Sequence, residues 1–124
     1  MKKNTRPEIL VRRIICELGY ANRYRLHISN LPGSPDIVFR EARKVIFVNG
    51  CYWHRHSRPS CQSGSRFPSK NQEYWAEVFD KNVRRDLSNQ EKLLKQGWQI
   101  LNIWECDLTD KKLITAILKL FLQS

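Results

Sequence analysis

Cys51, His56 and Cys61 follow one another in a C-x4-H-x4-C pattern, and Cys106 returns after an apolar run. Thiolate and imidazole are the donors zinc prefers, and three cysteines with one histidine complete a tetrahedron. Such a site has no open position and is structural, so it would tie an irregular segment to the strand before Cys106. In the competing reading the cysteines are small buried hydrophobes and the histidines are polar loop residues. Cys16, among apolar neighbours, is expected in the core. His54 lies two residues before His56 in GCYWHRHSRPSC, and an unperturbed imidazole accepts a proton near neutral pH. Asp36 follows Pro35 at the start of a β-rich run. A carboxylate at a strand start beside a bend suits Mg²⁺, which takes oxygen ligands and keeps several waters, although a turn residue after proline reads the same way. Glu8 either completes a helix cap or faces such a cation. The doublets Tyr52-Trp53 and Tyr74-Trp75 flank the basic residues Arg55, Arg58, Arg66 and Lys70. Each aromatic alone reads as packing, whereas two doublets beside a basic loop suit stacking on or between bases. Wedging open a base step costs a few kcal/mol, least where pairing is already faulty.

The elements that must position these groups are legible in outline. TRPE at residues 5–8 is a capping box, with Thr5 as the N-cap, and Leu10, Ile14 and Leu18 recur at helical spacing up to Gly19. Residues 23–27 alternate charged and apolar as a half-buried strand does, and SNLPGSP carries turn signals. DIVF at 36–39 and KVIFVN at 44–49 read as a hairpin whose second strand is buried on both faces. Residues 50–71 lack periodicity and form a loop. A helix is expected over 72–96 with Tyr74, Val78 and Leu93-Leu94 among charges, and Gly97 as its stop. WQILNIW at 98–104 is a further strand. Residues 110–122 form a last helix with Leu113, Ile117, Leu120 and Phe121 on its apolar side. The order is αβββαβα, an α/β sandwich on a mixed sheet, forming one domain over residues 1–124.

The 124 residues carry 22 Lys and Arg against 12 Asp and Glu, a formal charge of +10. That field favours a polyanion, and nucleic acid is the usual one. The N-terminus is too polar for a signal peptide and the apolar runs are too short for a membrane span, so a cytoplasmic protein in a reducing compartment is expected, with no membrane partner. Four cysteines there are thiols or metal ligands rather than a disulfide framework.

From NTRPE through RYRLH, LPGSPDIVF, VIFVNGCYWHRH, EYW and KNVRRD to GWQILNIWEC, the chain resembles the very short patch repair (Vsr) DNA mismatch endonucleases over nearly its whole length. The resemblance implies a fold similar to type II restriction endonucleases. It also implies Mg²⁺-dependent nicking of one strand of duplex DNA beside a T:G mismatch left by deamination of 5-methylcytosine, and a structural Zn²⁺. Carried over by position, it makes Asp36 the Mg²⁺ carboxylate and the Val48 carbonyl a second metal contact. His54 becomes the histidine that activates the attacking water, and Glu8 the helix-one acid near the metal's waters. Cys51, His56, Cys61 and Cys106 match the zinc ligands. Tyr52, Trp53 and Trp75 match the aromatics that wedge into DNA; Arg55 and Lys70 of the basic loop are further expected DNA contacts. A functional link to a cytosine-5 DNA methyltransferase is implied as well, and a nick in one strand asks for a monomer only.

The chain departs from the family pattern in two places. Asn49 stands where the family commonly has histidine, and an amide hydrogen-bonds a phosphate without shuttling a proton. The spacing from His56 to Cys61 exceeds the short family spacing. Asn49 motivates the alternative expectation of a zinc-stabilised module that binds mismatched DNA with reduced or lost cleavage.

Overall fold

A computed structural model describes residues 5–50 and 70–124. Helix α1 spans Arg6–Glu17, β1 Arg25–Leu26, β2 Ile37–Phe39, β3 Lys44–Asn49, α2 Gln72–Lys95, β4 Gln99–Trp104 and α3 Lys111–Gln123, with a 3-10 segment at Glu105–Thr109. Among the described residues the sheet runs β1-β2-β3-β4. The first three strands are antiparallel neighbours, and β3 pairs with β4 in parallel, from Lys44 against Gln99 to Asn49 against Trp104. The expected αβββαβα order and mixed sheet are thus present. The hairpin, the long helix and the fourth strand fall within a residue or two of their expected bounds.

Local chemistry explains the boundaries. Thr5 caps α1 by accepting the Glu8 N–H, and Asp110 caps α3 by accepting the Leu113 N–H. Gly97, at φ 89°, turns the chain out of α2 into β4. Gly33, at φ 78°, lets the LPGSP turn lie against α2 and Phe47: a Cβ there would meet Asn89 Cβ at 3.1 Å and Phe47 Cε1 at 3.2 Å.

β3 is the central strand, and its side chains supply both cores. Ile46 packs with Val11, Ile14 and Ile15 of α1, Ile37 and Phe39 of β2, Ile103 of β4, and Ile114, Leu118 and Leu122 of α3. Val45 and Phe47 pack with Val38, Leu93 of α2 and Trp98. Helices α1 and α3 therefore cover one face of the sheet, and the C-terminal part of α2 covers the other. The Lys44 side chain is buried, donating to the carbonyls of Phe121 and Ser124 and holding the end of α3 on the sheet.

Three expectations about helix faces are corrected. Cys16 is exposed, not core, because Val11, Ile14 and Ile15 turn inward and Cys16 lies a further 100° or so round from Ile15. Its thiol lies 3.8 Å from Tyr24 Oη, a phenol whose ionisation burial pushes upward. Leu10 is likewise on the outer side of α1. In α3 the buried stripe is Ile114, Leu118 and Leu122, while Leu113 and Leu120 are exposed: the largely apolar run LITAILKLFL permits more than one stripe, and packing into the cluster around Ile46 and Ile103 selects this one. The strand expected at 23–27 shortens to Arg25–Leu26 because His27 adopts φ 52°.

The corrected phase of α3 is directly measurable. Leu118→Ala should cost about 2–5 kcal/mol in a denaturant unfolding titration, and Leu120→Ala within about 0.5 kcal/mol. Equal losses would restore the other stripe.

Candidate active site

The antiparallel register brings one end of the sheet together: the end of β1, the start of β2, and the ends of β3 and β4. Asp36 immediately precedes Ile37, the first β2 residue paired with β3, opposite Ile46. Beyond that pair β2 has no backbone to offer, and the Asp36 carboxylate replaces it, accepting the Val48 N–H on Oδ2 at 2.8 Å. On its other side the Asp36 carbonyl accepts the backbone N–H of His27 at 3.1 Å. Asp36 is thus held from both neighbouring strands at once, 9% exposed.

Glu8 reaches the same point from above. Its place in the first turn of α1 turns it with Val11 and Ile15 toward the sheet, leaving it 3% exposed. Glu8 Oε2 lies 3.3 Å from His27 Nε2 and 3.9 Å from the Arg12 guanidinium. Donor atoms of Glu8, His27 and Asp36 all lie within 4.8 Å of one another, a group able to hold a cation. Two ionised carboxylates at such a distance repel by at least about 3 kcal/mol at an effective dielectric of about 20. A divalent ion between them converts that repulsion into attraction.

The His27–Glu8 contact is close but is no hydrogen bond: Nε2 is shielded from solvent and, among the described residues, lacks a hydrogen-bonding partner. An unmet buried polar atom costs about 1–3 kcal/mol, a cost that a cation ligated at Nε2 would remove. The chemistry of the set, two carboxylates and an imidazole at a sheet edge, fits a divalent cation.

Asn49, the last residue of β3, is buried, and its amide N–H donates to Asn102 Oδ1 at 3.1 Å. Asn102 in turn exchanges two hydrogen bonds with Gln90, at 2.9 and 3.0 Å, which fastens the middle of β4 to α2. Trp75 is half-buried near the start of α2, its ring 5.4 Å from Tyr74 and 5.9 Å from Phe79, and Lys70 is exposed just ahead of it. Cys106 is half-buried in the 3-10 segment, two residues after Trp104, the β4 partner of Asn49.

Of the sequence-derived site residues, Glu8 and Asp36 are brought together, and Val48 joins them through its N–H. Cys51, Tyr52, Trp53, His54, Arg55, His56 and Cys61 lie outside the described residues. His27 was missed. Its signal was available, since a strand ending at His27 and a turn over SNLPGSP place it opposite Asp36. The Gln90–Asn102 pair left no comparable trace, being two polar residues in otherwise ordinary helix and strand patterns.

The family model for DNA mismatch endonuclease Vsr matches residues 1–61. A type II nicking enzyme of Xanthomonas oryzae, V.XorIIP, is 41% identical over 94% of this chain and 82% of its own length. V.NmeAIP, a type II nicking enzyme of Neisseria meningitidis, is 38% identical over 88% of this chain and 74% of its own. The DNA mismatch endonuclease Vsr of Escherichia coli is 37% identical over 90% and 69%. The matched segment runs through Glu8, His27 and Asp36, so the similarity contains the described site. The chain is therefore a DNA endonuclease. It belongs to the Vsr family.

The amide network generates a stability prediction. Asn102→Ala leaves the Gln90 and Asn49 amides without their shared partner, and should cost about 1–3 kcal/mol in equilibrium unfolding. A loss below about 0.5 kcal/mol would mean that water replaces Asn102 freely.

Proposed function

We propose that the chain nicks one strand of duplex DNA beside a T:G mismatch, in repair of deaminated 5-methylcytosine. The observation that carries this reading is the convergence of Asp36, Glu8 and His27 at the sheet edge from which β3 leads into the Cys/His segment. Asp36, aligned by the Val48 N–H, and Glu8 hold Mg²⁺ there, with the Val48 carbonyl as a further contact. Bound there, Mg²⁺ supplies positive charge to the phosphate and to the leaving oxygen. His54 takes the proton of the attacking water as the new P–O bond forms and the P–O bond to the leaving strand end breaks, its oxygen taking a proton from solvent. Tyr52, Trp53 and Trp75 wedge the duplex beside the mismatch, while Arg55 and Lys70 hold phosphates. One site serves one strand, so a monomer suffices, acting in the cytoplasm downstream of a cytosine-5 methyltransferase.

Cys51, His56, Cys61 and Cys106 hold a structural Zn²⁺. The parallel register supports this: Cys106 follows Trp104 by two residues, Trp104 pairs with Asn49, and Cys51 follows Asn49 by two in the sequence. Metal analysis of the purified chain should find about one zinc, and a chelator should lower the melting temperature. A well-folded, zinc-free sample would remove this part of the proposal.

The nuclease reading is tested with T:G-mismatched and fully paired duplexes in Mg²⁺. Nicking should be confined to the mismatch and fall at least about 100-fold in Asp36→Ala. Equal nicking of both duplexes would overturn the mismatch specificity, and an unaffected Asp36→Ala would overturn the site.

The commitment of the Asn49 amide to Asn102 favours a second reading, a zinc-stabilised module that binds mismatched DNA with reduced cleavage. Asn49→His separates the two. A gain of about tenfold or more in nicking rate supports the weakened nuclease, because a positioned acid–base group contributes about that much or more. An unchanged rate removes it.

A further inference from the structure

We propose that His27 is a nitrogen ligand of the cation held by Glu8 and Asp36, and that this donor makes the site select Mn²⁺ over Mg²⁺. The inference rests on the reading of Asp36 as a cation carboxylate and extends it to the selectivity of that ion.

Three observations carry it. His27 Nε2 is buried without a hydrogen bond among the described residues, and it lies 3.3 Å from a carboxylate oxygen, Glu8 Oε2. Neighbouring ligands of an octahedral ion with bonds of about 2.1 Å are about 3.0 Å apart, so the pair is spaced as two ligands of one ion are. The third donor, on Asp36, completes a set within 4.8 Å.

The backbone fixes this arrangement. His27 donates its N–H to the Asp36 carbonyl and takes φ 52°, a left-handed conformation that non-glycine residues seldom adopt. That conformation ends β1 and places the imidazole beside Glu8 instead of continuing the strand alternation. Strain of this kind, about 1–3 kcal/mol, persists where surrounding contacts over-determine it, and here it delivers a ligand.

The consequence for ion choice follows from donor chemistry. Mg²⁺ takes oxygen ligands and gives up its waters reluctantly, whereas imidazole suits first-row transition ions. Two carboxylates with one imidazole nitrogen therefore raise the affinity for Mn²⁺ relative to Mg²⁺.

The test is electron spin echo spectroscopy of Mn²⁺ added to the purified full chain, with Mg²⁺ competition measured alongside. Wild-type protein should show ¹⁴N modulation from a directly bound imidazole and retain Mn²⁺ against an excess of Mg²⁺. His27→Asn, chosen because asparagine tolerates φ 52° and offers oxygen in place of nitrogen, should lose the modulation. It should also weaken Mn²⁺ binding about tenfold or more, with a smaller change for Mg²⁺. Asp36→Asn should weaken both ions. Modulation that persists in His27→Asn overturns the assignment, as does Asp36-dependent Mn²⁺ binding without modulation in the wild type, and both outcomes leave the Asp36 reading intact. Mn²⁺ binding that ignores Asp36→Asn overturns that reading too. The wild-type measurement stands whether or not the variants fold.

Discussion

The Asp36 carboxylate takes the Val48 N–H at 2.8 Å, and the arrangement of the site follows from that bond. It forms where β2 has run out of paired backbone, so a side chain continues the ladder that the main chain abandons. A buried carboxylate needs such a donor, because desolvation without one is costly. Once Asp36 is fixed to β3 on one side, its carbonyl fixes His27 on the other, and Glu8 descends from α1 onto the pair. Three elements distant in sequence thus meet at one charged point. Under the proposed function, a cation would offset the cost of placing two buried carboxylates together.

The rest of the fold makes that point rigid. β3 contributes to both hydrophobic cores and pairs on both edges, so the Val48 N–H has little freedom to move. The parallel β4 extends the same edge, and the Asn49–Asn102–Gln90 amides bind it to α2. Under the proposed function this edge is shared: the cation site lies between β1, β2 and α1, while β3 and β4 lead toward the zinc ligands. Rigidity in the sheet and variable chemistry beyond its ends are what a nuclease built on strand termini requires.

The sheet was legible in the sequence because its strands are short, β-branched and bounded by turn residues, as DIVF and KVIFVN are. The helices were legible in extent but not in phase. Within LITAILKLFL the pattern leaves the buried stripe open, and the core cluster of α1 and the sheet decides for Ile114, Leu118 and Leu122. Cys16 misled for a related reason: apolar neighbours in sequence are not neighbours in space on a helix. Glu8 and Asp36 were found by their residue types and by family resemblance. His27 was not, although a strand ending there before the SNLPGSP turn places it opposite Asp36; what RYRLH does not mark is the left-handed backbone that sets its imidazole beside Glu8.

Under the proposed function a divalent ion draws Asp36 and Glu8 together. Diffraction from crystals grown with Mn²⁺, recorded for its anomalous signal, addresses this without reference to activity. An anomalous peak is expected among the Asp36, Glu8 and His27 side chains, about 2.2 Å from the carboxylate oxygens. No peak there at saturating Mn²⁺, with the two carboxylates still in contact range, would contradict it.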